Sequence, residues 1–248
     1  MLGMLFHEGV YVPLYNALVG LIDLIPGGDV GVAVILLTLL VKAILFPLAL
    51  KASRTQVALR ELEGPLRDIK ERYKDQPEEQ AKKTLALYRE KGVNPFASIG
   101  LLFLQLPVIF GLYWVFYKGG LPVIDVAVLY SFVPTPTEVS MLFFGLIDMA
   151  GRSLPLAFLA GATQYLQARY AMPKAPTPKN PDEPTFGEDF ARSMHLQMRY
   201  VLPVVVGAVA YFATAAVALY WVTSNIAGIA QELYVLRTKK KASESPTQ

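Results

Sequence analysis

Five apolar runs, at about 30–50, 96–117, 152–171, 200–215 and 217–236, divide the chain, and all but the short fourth have close to the length a helix needs to cross a bilayer. Ahead of them, Val10, Leu14, Leu18, Leu21, Ile22 and Ile25 recur at helical spacing as far as the Pro26-Gly27-Gly28 break. That stripe over residues 1–29 fits a helix lying in the membrane interface, and fits equally an amphipathic helix packed on protein. Residues 51–95 are densely charged with both signs interspersed, and are interrupted at Gly64-Pro65 and Asp75-Gln76-Pro77. Leu66, Ile69 and Tyr73 form one helical face there and Ala81, Leu85 and Tyr88 another, which predicts a helical hairpin outside the membrane. Residues 118–151 join the second and third runs as a loop. Between Met172 and Met194 five prolines predict a connection with little regular structure, and 237–248 is a basic tail that turns polar.

Composition makes the number of spans, not the size of a soluble core, the question: 54% of residues are apolar. The expected fold class is an all-α integral membrane protein. The absence of cysteine removes disulfides, thiolate chemistry and any lipid-modified N-terminal cysteine. No Lys or Arg precedes Lys42, so neither a cleavable signal peptide nor an Arg-rich transit peptide is expected in the chain as written.

A net charge of +3 hides a strong asymmetry. The cations cluster in 51–95, in 169–199 and in the tail, and apart from Lys42 only Lys118 and Arg152 fall elsewhere. Five spans with the N-terminus outside put all three clusters in the cytoplasm and those two residues outside, as the positive-inside rule asks. Reading Val201 to Leu236 as one helix would export Lys239, Lys240 and Lys241, so two helices are expected despite the lack of an obvious turn residue between Tyr211 and Trp221.

Lys42 is the chemically pointed residue, because it stands alone in the apolar run Val30 to Leu50. An intramembrane charge is a functional-site candidate by default. At 1.5 Å per residue it lies roughly 13 Å from the polar end of the helix at Lys51, more than a bent lysine stem recovers. Fourteen Val, Ile, Leu and Phe side chains at about −0.3 to −0.6 kcal/mol each outweigh a lysine costing about +3, so the helix still inserts. The ammonium either snorkels or lines a polar cavity.

The run from Thr38 through Lys42 to Pro47, the charged hairpin, and then Leu87-Tyr88-Arg89-Glu90-Lys91-Gly92-Val93-Asn94-Pro95-Phe96 together resemble the YidC/Oxa/Alb membrane-protein insertases. The resemblance continues in order along the chain. Gln105-Leu106-Pro107 with Leu112-Tyr113, Phe143 to Met149, Leu154-Pro155 with Gln164-Tyr165-Leu166-Gln167, Met198 to Pro203, and Leu219 to Asn225 with Gln231 are similar to successive family segments. No piece is specific alone, and their order and spacing carry the match.

The resemblance implies five transmembrane helices around a hydrophilic groove open to the cytoplasm and to lipid, in the cytoplasmic (inner) membrane of a bacterium. A nascent chain's polar tail would be held there near a basic residue, matched by Lys42, before its apolar segment slides into lipid. No bond changes and no cofactor or metal is called for. Gln167 and Trp221 match the family's groove, and Trp221 is equally readable as an interfacial or packing aromatic. Thr38, Gln105, Gln164, Thr223, Ser224 and Asn225 are further polar groups able to wet it, or else to make interhelical hydrogen bonds. Implied partners are nascent membrane proteins, the lipid bilayer, the Sec translocon and the ribosome. The sequence departs from the family in three ways. Lysine replaces the usual arginine, keeping the attraction without the planar fork. Ala213-Thr214-Ala215-Ala216 replaces a Pro-x-Gly turn, and no large outer domain is present, which points to a minimal bacterial form.

Two rivals stand beside this. A small transporter or channel would use Lys42 as a substrate or ion site, yet five spans give no pair of equal repeats and leave the charged hairpin unexplained. An intramembrane enzyme lacks its parts. His7 and His195 lie outside the apolar runs, and no two carboxylates fall within them to share a proton or a metal.

Overall fold

A computed structural model describes residues 2–94, 97–117, 121–171 and 192–244, with backbone only at 2, 56, 57, 60, 63, 97–105 and 239–244. The proline-rich connection at 172–191, Lys118 and the side chains of Gln105 and of Lys239 to Lys241 therefore lie outside the described residues. The protein is mostly helical. Contacts divide it into two units, Met1–Ile44 with Leu106–Leu233, and Leu45–Gln105 with Tyr234–Gln248.

In the first unit α1 (Leu2–Phe6), a π turn (His7–Tyr11) and α2 (Val12–Leu24) run on without a break. The π turn has a visible cause. Pro13 has no N–H and its ring crowds the preceding turn, and the backbone relaxes by letting Val12 N–H bond the carbonyl of His7, one residue further back than in an α-helix. The same solution recurs before Pro203, where the N–H of Leu202 bonds the carbonyl of Gln197.

Tyr15, Leu18, Val19 and Ile22 are fully buried, so one face of this N-terminal helix is packed on protein. It is also apolar enough over Gly3–Leu24 to cross a membrane by length and composition, as is the first 26 residues of α3 (Val30–Glu61) over Val30–Thr55. The sequence stripe left an interfacial helix and one packed on protein equally open, and did not point to a crossing helix. Between the two helices Gly27 and Gly28 turn the chain with φ of 76° and 59°, and Gly28 lies against the carbonyl of Glu138 where any Cβ would collide. Asp29 then caps α3, its Oδ1 accepting from Val32 N–H at 3.1 Å.

The remaining helices of this unit are the end of α6 (Ala97–Tyr117), α7 (Leu154–Ala171), α8 (Leu202–Phe212) and the start of α9 (Ala215–Glu244). A helical turn over 192–196 and the π turn Gln197–Val201 lead straight into α8, so the helical stretch 192–212 reaches about 30 Å although α8 itself is short. α7 and α8 approach backbone to backbone, because a Cβ on Gly161 would sit 3.0 Å from the Pro203 carbonyl and 3.5 Å from the Cα of Gly207. α8 and α9 are separate helices joined through Ala213, which is extended at φ −80°, ψ 174°. No turn-forming residue is needed there, since the first N–H groups of α9 are taken by the loop between α6 and α7: Ala215 N–H donates to the Gly151 carbonyl at 2.7 Å and Ala216 N–H to that of Met149 at 3.1 Å.

That loop, 118–151 in the sequence, carries structure of its own. β1 (Leu142–Phe143) and β2 (Ile147–Asp148) form a two-stranded antiparallel hairpin, Leu142 opposite Asp148 and Phe143 opposite Ile147. The core gathers Tyr15, Leu18 and Ile22 of α2, Val30, Val34 and Leu37 of α3, Leu112 and Val115 of α6, Leu156 and Ala160 of α7, Val206 and Ala210 of α8, and Ala215, Ala216, Ala218, Leu219 and Tyr220 of α9. Outward, Leu36, Leu39, Leu40, Ile44, Phe158 and Val204 are exposed. Apolar side chains on both the inside and the outside of the helices are what a lipid solvent requires.

In the second unit α3 continues to Glu61 and is followed by α4 (Glu63–Arg72) and α5 (Pro77–Glu90). Gly64 and Pro65 lie inside the first turn of α4, where the missing proline N–H has no helical partner to lose. Pro77 opens α5 in the same way, and Glu78 and Glu79 in its first turn complement the helix dipole. Lys82 donates to Glu79 at 3.0 Å and holds that carboxyl below its ordinary range. Gly92, at φ 63°, closes α5, with Val93 N–H donating to the Tyr88 carbonyl at 2.9 Å.

Candidate functional site

Apart from Gln105, the candidate side chains come from three helices of the first unit. On α3, Ile35, Thr38 and Lys42 follow one another at three and four residues, so Lys42 lies one turn beyond Thr38 on the same stripe. Thr38 is buried and its hydroxyl donates to the Val34 carbonyl at 2.6 Å, within its own helix. Lys42 is partly buried and makes no hydrogen bond or ion pair with any described residue. Five residues on, Pro47 lies inside α3 and frees the Ala43 carbonyl next to Lys42.

On α7, the buried Ala157, Ala160 and Ala168 share a face with Gln164 and Gln167, both partly buried. Neither glutamine has a hydrogen-bond partner among the described residues. The Gln167 amide lies over Gly228 of α9, its Nε2 occupying the place a Cβ would take. On α9, Trp221, Asn225, Gly228 and the buried Glu232 follow at four, three and four residues along one face. Trp221 is partly buried and packs on the apolar core. Glu232 is engaged with other residues.

Several of the polar groups that the sequence offered for a groove are committed elsewhere. Asn225 Nδ2 donates to the Ala160 carbonyl at 3.3 Å and to Thr163 Oγ1 at 3.1 Å, tying α9 to α7. Thr223 Oγ1 donates to the Leu219 carbonyl at 2.9 Å, and Ser224 is buried and hydrogen-bonded with Tyr220. Asn225 thus serves the interhelical bonding that was the alternative to groove wetting. Gln105 is on α6, with its side chain outside the described residues. Among the described candidates, Lys42, Gln164, Gln167 and the Trp221 indole have no hydrogen-bond partner in the described residues.

Two residues complete the seam that the sequence did not single out. Thr163 sits four residues before Gln167 and accepts from Asn225, and Gly228, seven after Trp221, makes room for Gln167. Helical spacing was the signal for both. A cleft of about 260 Å³ is lined by residues 22–28 and 136–138, and contains none of the candidates. No group of three or more His, Asp or Glu able to hold a metal occurs among the described residues.

A family model described as the 60Kd inner membrane protein matches residues 22–243. A Clostridium tetani protein named membrane protein insertase YidC is 30% identical over 218 residues, which cover 88% of this chain and 86% of that protein. A protein of the same name from Clostridium perfringens is 29% identical over 220 residues, 88% of this chain and 84% of the relative. One from Saccharophagus degradans is 28% identical over 232 residues, covering 93% of this chain but 36% of a much longer protein. The family model's match, residues 22–243, contains Lys42, Gln167 and Trp221.

Proposed function

The chain belongs to the 60Kd inner membrane protein family, the YidC/Oxa/Alb insertases, and from that premise we propose that it passes client segments across the headgroup layer through a polar groove built on Lys42, Gln164 and Gln167. It is a membrane-protein insertase and not an enzyme, and its clients are nascent membrane proteins. The rest of the proposal concerns how. Five spans, at 30–50, 96–117, 152–171, 200–215 and 217–236, cross the bacterial inner membrane with the N-terminus outside. The charged hairpin and the tail face the cytoplasm, where they receive chains from the ribosome, alone or beside the Sec translocon.

The observation that carries the groove is Lys42: a partly buried ammonium in an apolar helix, with no partner among the described residues. A fixed cation without a counter-ion attracts the acidic tail of a client, and water around it shortens the hydrocarbon path the tail must cross. Gln164 and Gln167 add donors and acceptors that no described residue satisfies. Transfer needs no chemical step. The client's apolar segment leaves the groove because lipid solvates it better than a wet polar surface does.

The test is protease-protected insertion of a short single-span client with an acidic tail into liposomes holding the purified full chain, against empty liposomes. A clear gain is expected with the wild type and with Lys42→Arg. Lys42→Leu is expected to lose most of the gain for acidic tails and little for neutral ones. Equal loss for both tail types overturns tail capture by charge.

A further inference from the structure

The tip of the β1–β2 hairpin presents bare apolar side chains that the groove does not use. Its backbone holds an aromatic residue outward. Leu146 N–H donates to the Phe143 carbonyl at 3.0 Å, and the two central residues of that turn, Phe144 and Gly145, have φ of 48° and 72°. Such turns normally take Asn-Gly, because a bulky side chain is strained at positive φ. Phenylalanine is kept there by Asp29, whose Oδ2 accepts from the Phe144 N–H at 2.9 Å. The Phe144 side chain is 71% exposed and that of Leu146 84%.

The contacts that hold the tip also fix its height. Asp29 is the cap of α3, and the Phe143 ring lies against Gly31 in the first turn, where any Cβ would overlap it. The apolar window of α3 starts at Val30. With α3 across the bilayer, Asp29 is the polar residue that ends its apolar run on that side, which puts the boundary between lipid and water close to it, and the hairpin is seated on the same turn. Exposed apolar groups at this depth have hydrocarbon beside them, and an aromatic ring suits the interface.

We propose that the hairpin tip is a lipid anchor, with Phe144 and Leu146 inserted into the interfacial layer of the leaflet at the N-terminal end of α3. Insertion fixes the depth of the outer loop and of the start of α3. This rests on α3 crossing the bilayer and is independent of the Lys42 groove.

The sequence has no cysteine, so Leu146→Cys and Phe144→Cys each give a single labelling site, the former where no packing is disturbed. The labelled full chain, carrying an environment-sensitive fluorophore, is reconstituted at less than one copy per vesicle in phosphatidylcholine and phosphatidylglycerol. No client is present, so failure of the insertase mechanism does not affect the readout. Expected is about twofold quenching by lipids with a nitroxide just below the headgroups, as for apolar groups some 5–10 Å into the interface, with little quenching by aqueous iodide. Strong iodide quenching without lipid quenching overturns the anchor by placing the tip in water. Protection from both quenchers overturns it by placing the tip against protein.

Discussion

Replacing Asn16 tests how much of the clamp between the loop 118–151 and the N-terminal helix is carried by its amide, beside the Tyr15 hydroxyl that accepts from Asp125 N–H at 2.8 Å. Asn16 is buried on α2, donates to the carbonyls of Val12 and Val128 at 2.9 Å each, and accepts from Tyr130 N–H at 2.6 Å. Asn16→Leu changes volume little and adds apolar contact. It leaves the Val128 carbonyl and the Tyr130 N–H without the partner they have now, while the Val12 carbonyl keeps its position in the helix. An orphaned buried group costs about 1–3 kcal/mol. Both groups are only part-buried, so the lower half of the range applies to each and the sum is about 2–4 kcal/mol. An ordinary polar contact between membrane helices is worth about 0.6 kcal/mol, so the two accounts differ several-fold. Equilibrium unfolding in mixed micelles, followed by circular dichroism, reads the difference. Proteolysis between 121 and 133 should accelerate in the variant even where the whole protein stays folded. A loss below about 1 kcal/mol with unchanged cleavage would refute the clamp and leave Asn16 as one more membrane polar contact.

Gly27→Ala and Gly28→Ala separate strain from collision. Both positions have positive φ, costing about 1–2 kcal/mol for alanine, but only Gly28 faces the Glu138 carbonyl, so its variant should lose clearly more stability in the same unfolding assay. Pro203→Ala restores an N–H and should return the π turn Gln197–Val201 to α geometry, visible as new slow amide exchange at residue 203. Asn225→Leu removes the α9 to α7 hydrogen bonds and should cost about 0.6 kcal/mol with insertion activity kept. Loss of insertion at wild-type stability would instead place Asn225 in the groove.

Hydropathy made the helical, membrane-bound character readable, because an apolar run has few other uses at that length. Proline chemistry made the interruptions at Pro65 and Pro77 readable, although only the structure puts Gly64 and Pro65 inside a first turn. What pattern could not supply were pairings between distant residues. The boundary at Ala213 has no local signature because its N–H groups are satisfied by Met149 and Gly151, more than sixty residues away. The β-hairpin is masked by a phenylalanine where an asparagine would have announced the turn. The candidate polar residues were visible as residue types, but whether a hydroxyl or amide is free depends on its neighbours. Thr38 and Asn225 are committed while Gln164 and Gln167 are not, a distinction that no count of polar residues contains.

The loop between α6 and α7 is bonded to the start of α3 through Ser140 and Val30, to α2 through Tyr15 and Asn16, and to the start of α9 through Met149 and Gly151. It works like the spring of a clothes peg. Helices fastened at one end part most easily at the other, so local opening of this unit starts at the helix ends far from the loop and fades toward it.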